Sequence, residues 1–267
     1  MVACADVDKR AAIVNAEEFC QYSISKWIAF APATLNSMPG QSLENWTSLP
    51  LPRRETMEGR TVTLEPLNAS LHAAPLWQAV RGHDEVWQWM FDGPYAAQTD
   101  FTSAIERKQA AIDQVFYAIV PAATGQAAGY ASYLRMEPSQ GVIEVGNILL
   151  SPALQRTTAA TEAMFLMARH IFQDLGYRRY EWKCNALNAP SRRAALRLGF
   201  TFEGIFRQHM VIKGCNRDTA WFAMLDEEWP ARRAAFEAWL DPKNFDAEGR
   251  QRQPLAGCAK TQSQEVL

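Results

Sequence analysis

The stretch 141-GVIEVGNILLSPALQRTTAATEAMFLMARHIFQDL-175 decides the architecture of this chain. It opens on an apolar run, Val142 to Leu150, interrupted only by Glu144, Gly146 and Asn147. Ser151-Pro152 and the polar turn through Gln155, Arg156, Thr157 and Thr158 follow, and then a long amphipathic run from Ala159 to Leu175, closed by Gly176. That order predicts a buried strand, a turn and a helix. Backbone N–H groups at the positive end of a helix dipole make a ready anion site, most often for phosphate. The turn is therefore expected to hold a cofactor diphosphate, and the strand before it to carry the chemistry.

Working outward, Val115–Val120 and Ala127–Met136 read as strands around a turn at Pro121–Gln126, giving with Val142–Leu150 an antiparallel meander. Upstream, Gly59–Leu67 alternates as the first strand, and Asn68 or Ser70 caps a helix reaching Val80. Gly82–Tyr95 is dense in aromatics (Trp87, Trp89, Phe91, Tyr95) and reads either as a packed corner or as the wall of an acceptor pocket. Thr99 or Asp100 leads a helix to Ile112. Downstream, Tyr180–Cys184 is a strand, and strand–helix–strand in succession implies a parallel pair joined by a crossover. The sheet is thus expected to be mixed. Asn188 or Ser191 begins a short helix that Gly199 ends, two long strands span Phe200–Lys213 and Asp218–Leu225, and Glu228–Leu240 closes the domain as a helix.

The expected organisation is an N-terminal appendage over 1–36, an extended Pro- and Gly-bearing arm over 37–58 pinned by Trp46 and Leu49, a domain over 59–240, and a loose tail over 241–267. The appendage reads either as a helix on the domain surface or as an element for a partner. The 267 residues are 48% hydrophobic and 21% charged, ample for a core, and 29 acids balance 27 bases, which speaks against a nucleic-acid binder. Cys4, Cys20, Cys184, Cys215 and Cys258 form no CxxC, so neither a disulfide framework nor a zinc site is expected, and a reducing compartment, the cytoplasm, fits. No apolar stretch approaches the roughly 20 residues that span a bilayer.

IEVGNILLSPALQRTTAATEA, NALNAPSRRAALRLGFTFEGIFRQH and GCNRDTAWFAML together resemble, in order and spacing, the motifs of the GNAT superfamily of N-acetyltransferases, and more closely its RimJ/RimL-like branch. The resemblance runs from about Leu49 to Leu240. It implies an α/β (α+β) fold with a mixed, mostly antiparallel, splayed sheet between flanking helices. It implies acetyl-CoA as co-substrate, no metal, an amine acceptor (a small molecule or a protein N-terminus), and a monomer or homodimer without nucleic-acid or membrane partners. In the family, amides of an Arg/Gln-x-x-Gly-x-Gly/Ala turn grip the coenzyme pyrophosphate. Here Gln155, Arg156, Thr157, Thr158, Ala159 and Ala160 occupy that turn, with Thr158 where the first glycine usually stands. Ile148 and Leu149 would offer their backbone to the pantetheine arm, and Asn188 resembles the asparagine that contacts the cofactor.

For catalysis, Glu144 is the only acid in its strand, and an acid partly withdrawn from water there is suited to take a proton through a water. The competing reading of Glu144 is an outward-facing, solvated residue. His209 on the substrate strand is the rival base, or a structural histidine. The tyrosine that many family members use as acid is replaced by Ala195, whereas Ser191 matches the serine that RimL-type enzymes place near the thiol, or else only caps a helix. Met210 stands where those enzymes carry a glutamate. Asn147, Arg207, His209 and Asp218 are the acceptor-side candidates, and Arg217 with Asp218 reads as a hairpin salt bridge or as an orienting pair. The competing expectation is a catalytically weak module of the same fold that binds coenzyme A.

Overall fold

The structure, a computed structural model, describes residues 42–255. The appendage expected over 1–36 lies outside them. Of the described residues, 42–46 belong to one unit and those from Thr47 to a second. In the first, a turn is closed by the Trp46 N–H donating to the Leu43 carbonyl at 3.2 Å.

The second unit is built on one eight-stranded sheet. Its strands are β1 (Met57–Glu58), β2 (Val62–Pro66), β3 (Val115–Pro121), β4 (Gly129–Glu137), β5 (Val142–Leu150), β6 (Arg179–Asn185), β7 (Thr201–Ile212) and β8 (Cys215–Leu225). They lie in the order β1-β2-β3-β4-β5-β6-β8-β7. Every neighbouring pair is antiparallel except β5–β6, which is parallel. The mixed, mostly antiparallel sheet is the one the strand pattern predicts.

Alternation along β3 explains the layers. Phe116, Ala118 and Val120 enter one apolar cluster with Leu76, Phe101, Tyr130 and Leu149, beneath α1 (Ala69–Val80) and α2 (Gln98–Ala110). Val115, Tyr117 and Ile119 enter another with Met164, Phe165, Trp182 and Phe236. That second cluster lies under α3 (Thr158–Arg169, continued as a π turn over His170–Asp174), α4 (Ala189–Arg197) and α5 (Trp229–Leu240). Helices therefore cover both faces of the sheet. α3 departs from the amphipathic expectation, because Ala159 through Ala168 are all buried. Its one acid, Glu162, is satisfied by the Arg60 N–H at 2.8 Å, the Thr61 N–H at 2.7 Å and the Thr61 hydroxyl.

Caps fall largely where the sequence puts them. Asn68 Oδ1 accepts from the Ser70 and Leu71 amides, and Asn188 Oδ1 from the Ser191 amide. At α2 the cap is Ala97, with no side-chain bond, rather than Thr99 or Asp100. The arm is tied down by Leu49 N–H to the Pro138 carbonyl (3.1 Å) and by hydroxyls of Tyr177 and Tyr117 to the carbonyls of Pro50 and Arg53. The tail expected to be loose from 241 is anchored as far as Leu255, which is buried. Phe245 bridges Gln251, and Trp239 Nε1 donates to Gln251 at 2.8 Å. No helix among the described residues is long and apolar enough to cross a membrane.

Candidate active site

The parallel ladder between β5 and β6 holds Val142 to Val145 against Arg179 to Trp182 and then stops. Beyond it β5 stays with β4 as far as Leu150, and β6 stays with β8 as far as Asn185. The two strands part after four pairs and leave facing backbone edges at Gly146–Leu150 and Lys183–Asn185. A cleft open to a narrow linear group results, since unpaired N–H and C=O groups at a strand edge invite a strand-like partner.

Two bulges shape the β5 wall. On the β4 side Leu134 and Glu137 oppose Glu144 and Val142, so β4 carries an extra residue, and Arg135 sits at φ 46°. On the β5 side Gly146 and Leu149 oppose Ser132 and Tyr130, so β5 carries the extra residue, and Asn147 sits at φ 49°. Bulges re-aim side chains near active sites. The first swings Arg135 Nη1 to 2.8 Å from Glu144, and the second turns the Asn147 amide back to Gln114 (2.6 Å) and Ser132 (3.1 Å). Asn147 thus fastens the bulge, an αL position that asparagine tolerates well. At Gly146 a Cβ would lie 2.9 Å from Leu134 Cδ2 and 3.4 Å from Glu144 Oε1, so the Leu134 side chain would have to shift.

The far end of the cleft is the α3 start. Thr157 caps the helix, its Oγ1 accepting from the Ala160 N–H at 3.1 Å and donating to the Leu154 carbonyl at 2.7 Å. The amides of Thr158 and Ala159, first in the helix, are beyond the reach of its own ladder and have no acceptor among the described residues, an arrangement that suits an anion. Gln155 Nε2 braces the turn on the Leu150 carbonyl at 3.1 Å. Thr158 begins the helix, while the left-handed backbone belongs to Arg156 at φ 61°. The glycine missing at 158 is therefore not demanded by the backbone. An open edge on β5 and uncapped amides at the start of α3 fit a diphosphate with a thin arm.

Glu144 does not face solvent. It is 4% exposed, and besides Arg135 it pairs with Lys183 Nζ at 2.9 Å. Lys183 continues to Glu181 at 2.6 Å, Glu181 to Arg179 at 2.7 Å, and Arg179 to Glu203 at 2.8 Å through Nη1. The Lys183 ammonium also lies 3.9 Å from the Trp221 ring centroid. Arg135, Glu144, Lys183, Glu181, Arg179 and Glu203 thus form one chain of alternating charge across the cleft floor. The sequence reading found only Glu144 of these. Its missed signal was Arg179, Glu181 and Lys183 alternating with buried Tyr180, Trp182 and Cys184 on β6.

His209 joins this face. Two extra residues in β7 between Phe206 and Met210 turn its Nδ1 to 2.9 Å from Thr219 Oγ1. Its pKa is lowered from 6.5, by desolvation first and then by the charges of Arg135, Arg217 and Lys183, with Glu144 acting the other way. A neutral imidazole at this place can accept a proton. Ser191, in the first turn of α4, accepts from Trp182 Nε1 at 3.0 Å and hydrogen-bonds Cys184.

Arg207 and Asp218 lie apart from the floor. Arg207 is exposed, and Asp218 accepts from the Gln208 N–H (2.7 Å) and Asn216 Nδ2 (3.0 Å). Arg217 and Asp218, adjacent in β8, point to opposite faces. Arg217 is buried instead, its guanidinium 5.2 Å over the Phe91 ring. The aromatic segment thereby divides: Trp87 and Tyr95 pack edge-on with Phe101, whereas Phe91, 43% exposed, borders the cleft. Lys213 Nζ, donating to the Trp87 carbonyl at 3.0 Å, ties the β7–β8 hairpin to that segment.

Comparison with known proteins bears on the domain as a whole. Residues 61–201 match the family model described as an acetyltransferase (GNAT) domain. The chain is 49% identical to a GCN5-related N-acetyltransferase from Brucella melitensis, whose structure covers 80% of this chain and 97% of its own at a TM-score of 0.79. It is 40% identical to a probable acetyltransferase (GNAT family) from Chromobacterium violaceum, covering 75% of this chain and 100% of that one at 0.68. An acetyltransferase from Salmonella typhimurium that modifies the N-terminal serine of a ribosomal subunit protein shares 22% identity over 64% of this chain and 99% of its own, with a TM-score of 0.56, a likeness of fold alone. Among curated proteins none matches.

Proposed function

Because the chain belongs to the GNAT acetyltransferase family, we propose that it is an acetyl-CoA-dependent N-acetyltransferase acting on a primary amine. The observation that carries this reading is the parting of β5 from β6 beside the open amides of Thr158 and Ala159. Bound acetyl-CoA supplies an activated thioester carbonyl. Gln155 to Ala160 receive its diphosphate, Ile148 and Leu149 offer backbone groups to its arm, and Asn188 shapes the start of α4 alongside. The acceptor nitrogen forms a bond to the acetyl carbon, the carbon–sulfur bond breaks, and the leaving sulfur is protonated.

Three groups are placed for the proton work. His209 is the base we favour, since it is neutral in the usual range and not ion-paired. Glu144, shared by Arg135 and Lys183, holds the floor and acts as the alternative base through a water. Ser191, bonded to Trp182 and Cys184, is the hydroxyl for the sulfur. Arg207 and Asp218, on the outer side of the hairpin, would meet the acceptor only if it is large, as a protein N-terminus is.

Coenzyme A thiol release with a panel of amines and N-terminal peptides tests the reading. Turnover with one class supports it, and binding of acetyl-CoA without turnover on any amine sinks it in favour of a CoA-binding module. That second reading draws on the locked state of Glu144 and the occupied hydroxyl of Ser191. The motifs place the chain near the RimJ/RimL-like branch, but Met210 in place of a glutamate argues for a different acceptor. The free, buried Cys184 suits the cytoplasm.

A further inference from the structure

The cleft floor has four cations and three carboxylates. Arg135, Lys183 and Arg179 are matched by Glu144, Glu181 and Glu203. Arg217 is the one left over. It is 7% exposed, its guanidinium makes no hydrogen bond or ion pair among the described residues, and its Nε is buried without an acceptor. Burial lowers its pKa, yet a guanidinium remains charged at any working pH. On the same strand face, two pairs along, Trp221 Nε1 is also buried without an acceptor among the described residues. Both groups only donate, so both ask for an oxygen ligand that the described residues do not supply.

The surroundings say where that ligand would sit. Arg217 feels the charges of Arg135 and Glu144, and His209 feels Arg217, Arg135 and Lys183, so these groups share one electrostatic neighbourhood. The Phe91 ring, 5.2 Å from the guanidinium carbon, restricts the plane of the fork. A planar fork in fixed orientation matches a carboxylate in two-point contact better than it matches a lone hydroxyl or amide. The coenzyme diphosphate has its own donors at the start of α3, on the opposite side of the parting from β8.

We propose that the acceptor is a small amine bearing a carboxylate, an amino-acid-type substrate, and that Arg217 receives the carboxylate while its amine faces His209 and Glu144. This deepens the N-acetyltransferase reading and rests on it. Arg217 is then a residue that sets specificity, and Trp221 Nε1 a second donor to the same molecule.

The test compares matched triplets: an amino acid, its primary carboxamide, and the amine without either group, assayed by thiol release. The acid is expected to exceed the amide by roughly 10- to 100-fold in kcat/KM, chiefly through KM, the scale of a charge-assisted hydrogen bond. In Arg217→Gln the acid-to-amide ratio should collapse toward one, and Arg217→Lys should restore part of it. A ratio near one in the unaltered protein, a ratio that survives Arg217→Gln, or preference for peptides whose carboxylates are remote would each overturn the proposal. Calorimetric titration of the N-acetylated acid and its amide, with coenzyme A present, reads the same site without turnover. If no amine is acetylated yet the acid binds through Arg217, the catalytic reading fails and the carboxylate site stands. Equal binding of acid and amide rejects the site.

Discussion

Lys183→Met cuts the charged chain at its most buried link. The Lys183 side chain is 3% exposed and bridges Glu144 and Glu181. Methionine has similar length and flexibility, so the packing change is small and the loss is one of charge. Glu144 and Glu181, direct partners in the β5–β6 ladder, would then face each other with side chains 5% and 9% exposed. Each keeps one cation, Arg135 or Arg179. Removing one partner of a buried ion pair costs about 3–5 kcal/mol. Arg135, 40% exposed, is partly screened by water and still reaches Glu144, which argues for the lower end, about 3 kcal/mol. In a domain of this size that is a fall of about 6–12 °C in Tm. Urea unfolding followed by circular dichroism, with thermal melts alongside, measures it. The double variant Glu144→Gln/Lys183→Met leaves Glu181 paired with Arg179 and no uncompensated carboxylate, so it should lose at least about 1 kcal/mol less than the two single losses combined. A Lys183→Met loss under about 1 kcal/mol, or an additive double variant, would refute a coupled buried chain. The same series shows whether reduced turnover in Glu144→Gln reflects chemistry or a weakened floor.

Three further outcomes are expected. Thr157→Ala removes the cap of α3 and should cost about 1 kcal/mol, read from the same melts. With His209 as base, the acid limb of kcat/KM should fall below pH 6.5, because activity is lost as pH drops through a lowered pKa, and His209→Asn should remove that limb while Glu144→Gln keeps it. For Asp92, burial pushes the pKa up, but the charge and hydrogen bond of Lys108 and the Tyr95 hydroxyl outweigh it, and the net shift is below 3.8. Its stabilising contribution is therefore present above pH 3.8 and lost as pH falls through the folded value. The Tm gap between Asp92→Asn and the unaltered protein should close on acidification below that point, and a gap independent of pH contradicts the ion pair.

What the sequence displayed was whatever local pattern controls. Period-two alternation revealed β2, an apolar run revealed β5, and Asn68, Asn188 and Gly199 revealed helix ends, because each works through its own neighbours. β1 escaped because two residues hold no period, and Ala97 because a cap without a side-chain bond leaves no mark. The bulges at Arg135, Asn147 and Gln208 put non-glycine residues at positive φ, so the usual glycine flag is absent. They are consequences of register across strands. The site followed the same division. Glu144 was visible as the only acid in an apolar strand, Ser191 through the motif resemblance, and His209 as a histidine on the substrate strand. The partners that decide their state, Arg135, Lys183 and Trp182, come from other strands and were invisible until the sheet was assembled. Leu255 gave no warning either, since one buried side chain after a polar stretch has no pattern to belong to.

The parting of β5 from β6 has a consequence for the life of the protein in a cell. A strand edge lined by unpaired amides and flanked by half-buried Ile148 and Leu150 is the kind of surface on which chains aggregate. Most proteins blunt such edges with charge, proline or a covering helix, whereas here the edge lies inside the sheet, guarded by its own opposite wall. That wall limits how closely another chain can approach, and a ligand lying along the edge would cover the amides that remain. If acetyl-CoA lies there as proposed, precipitation should be slower in its presence than in its absence.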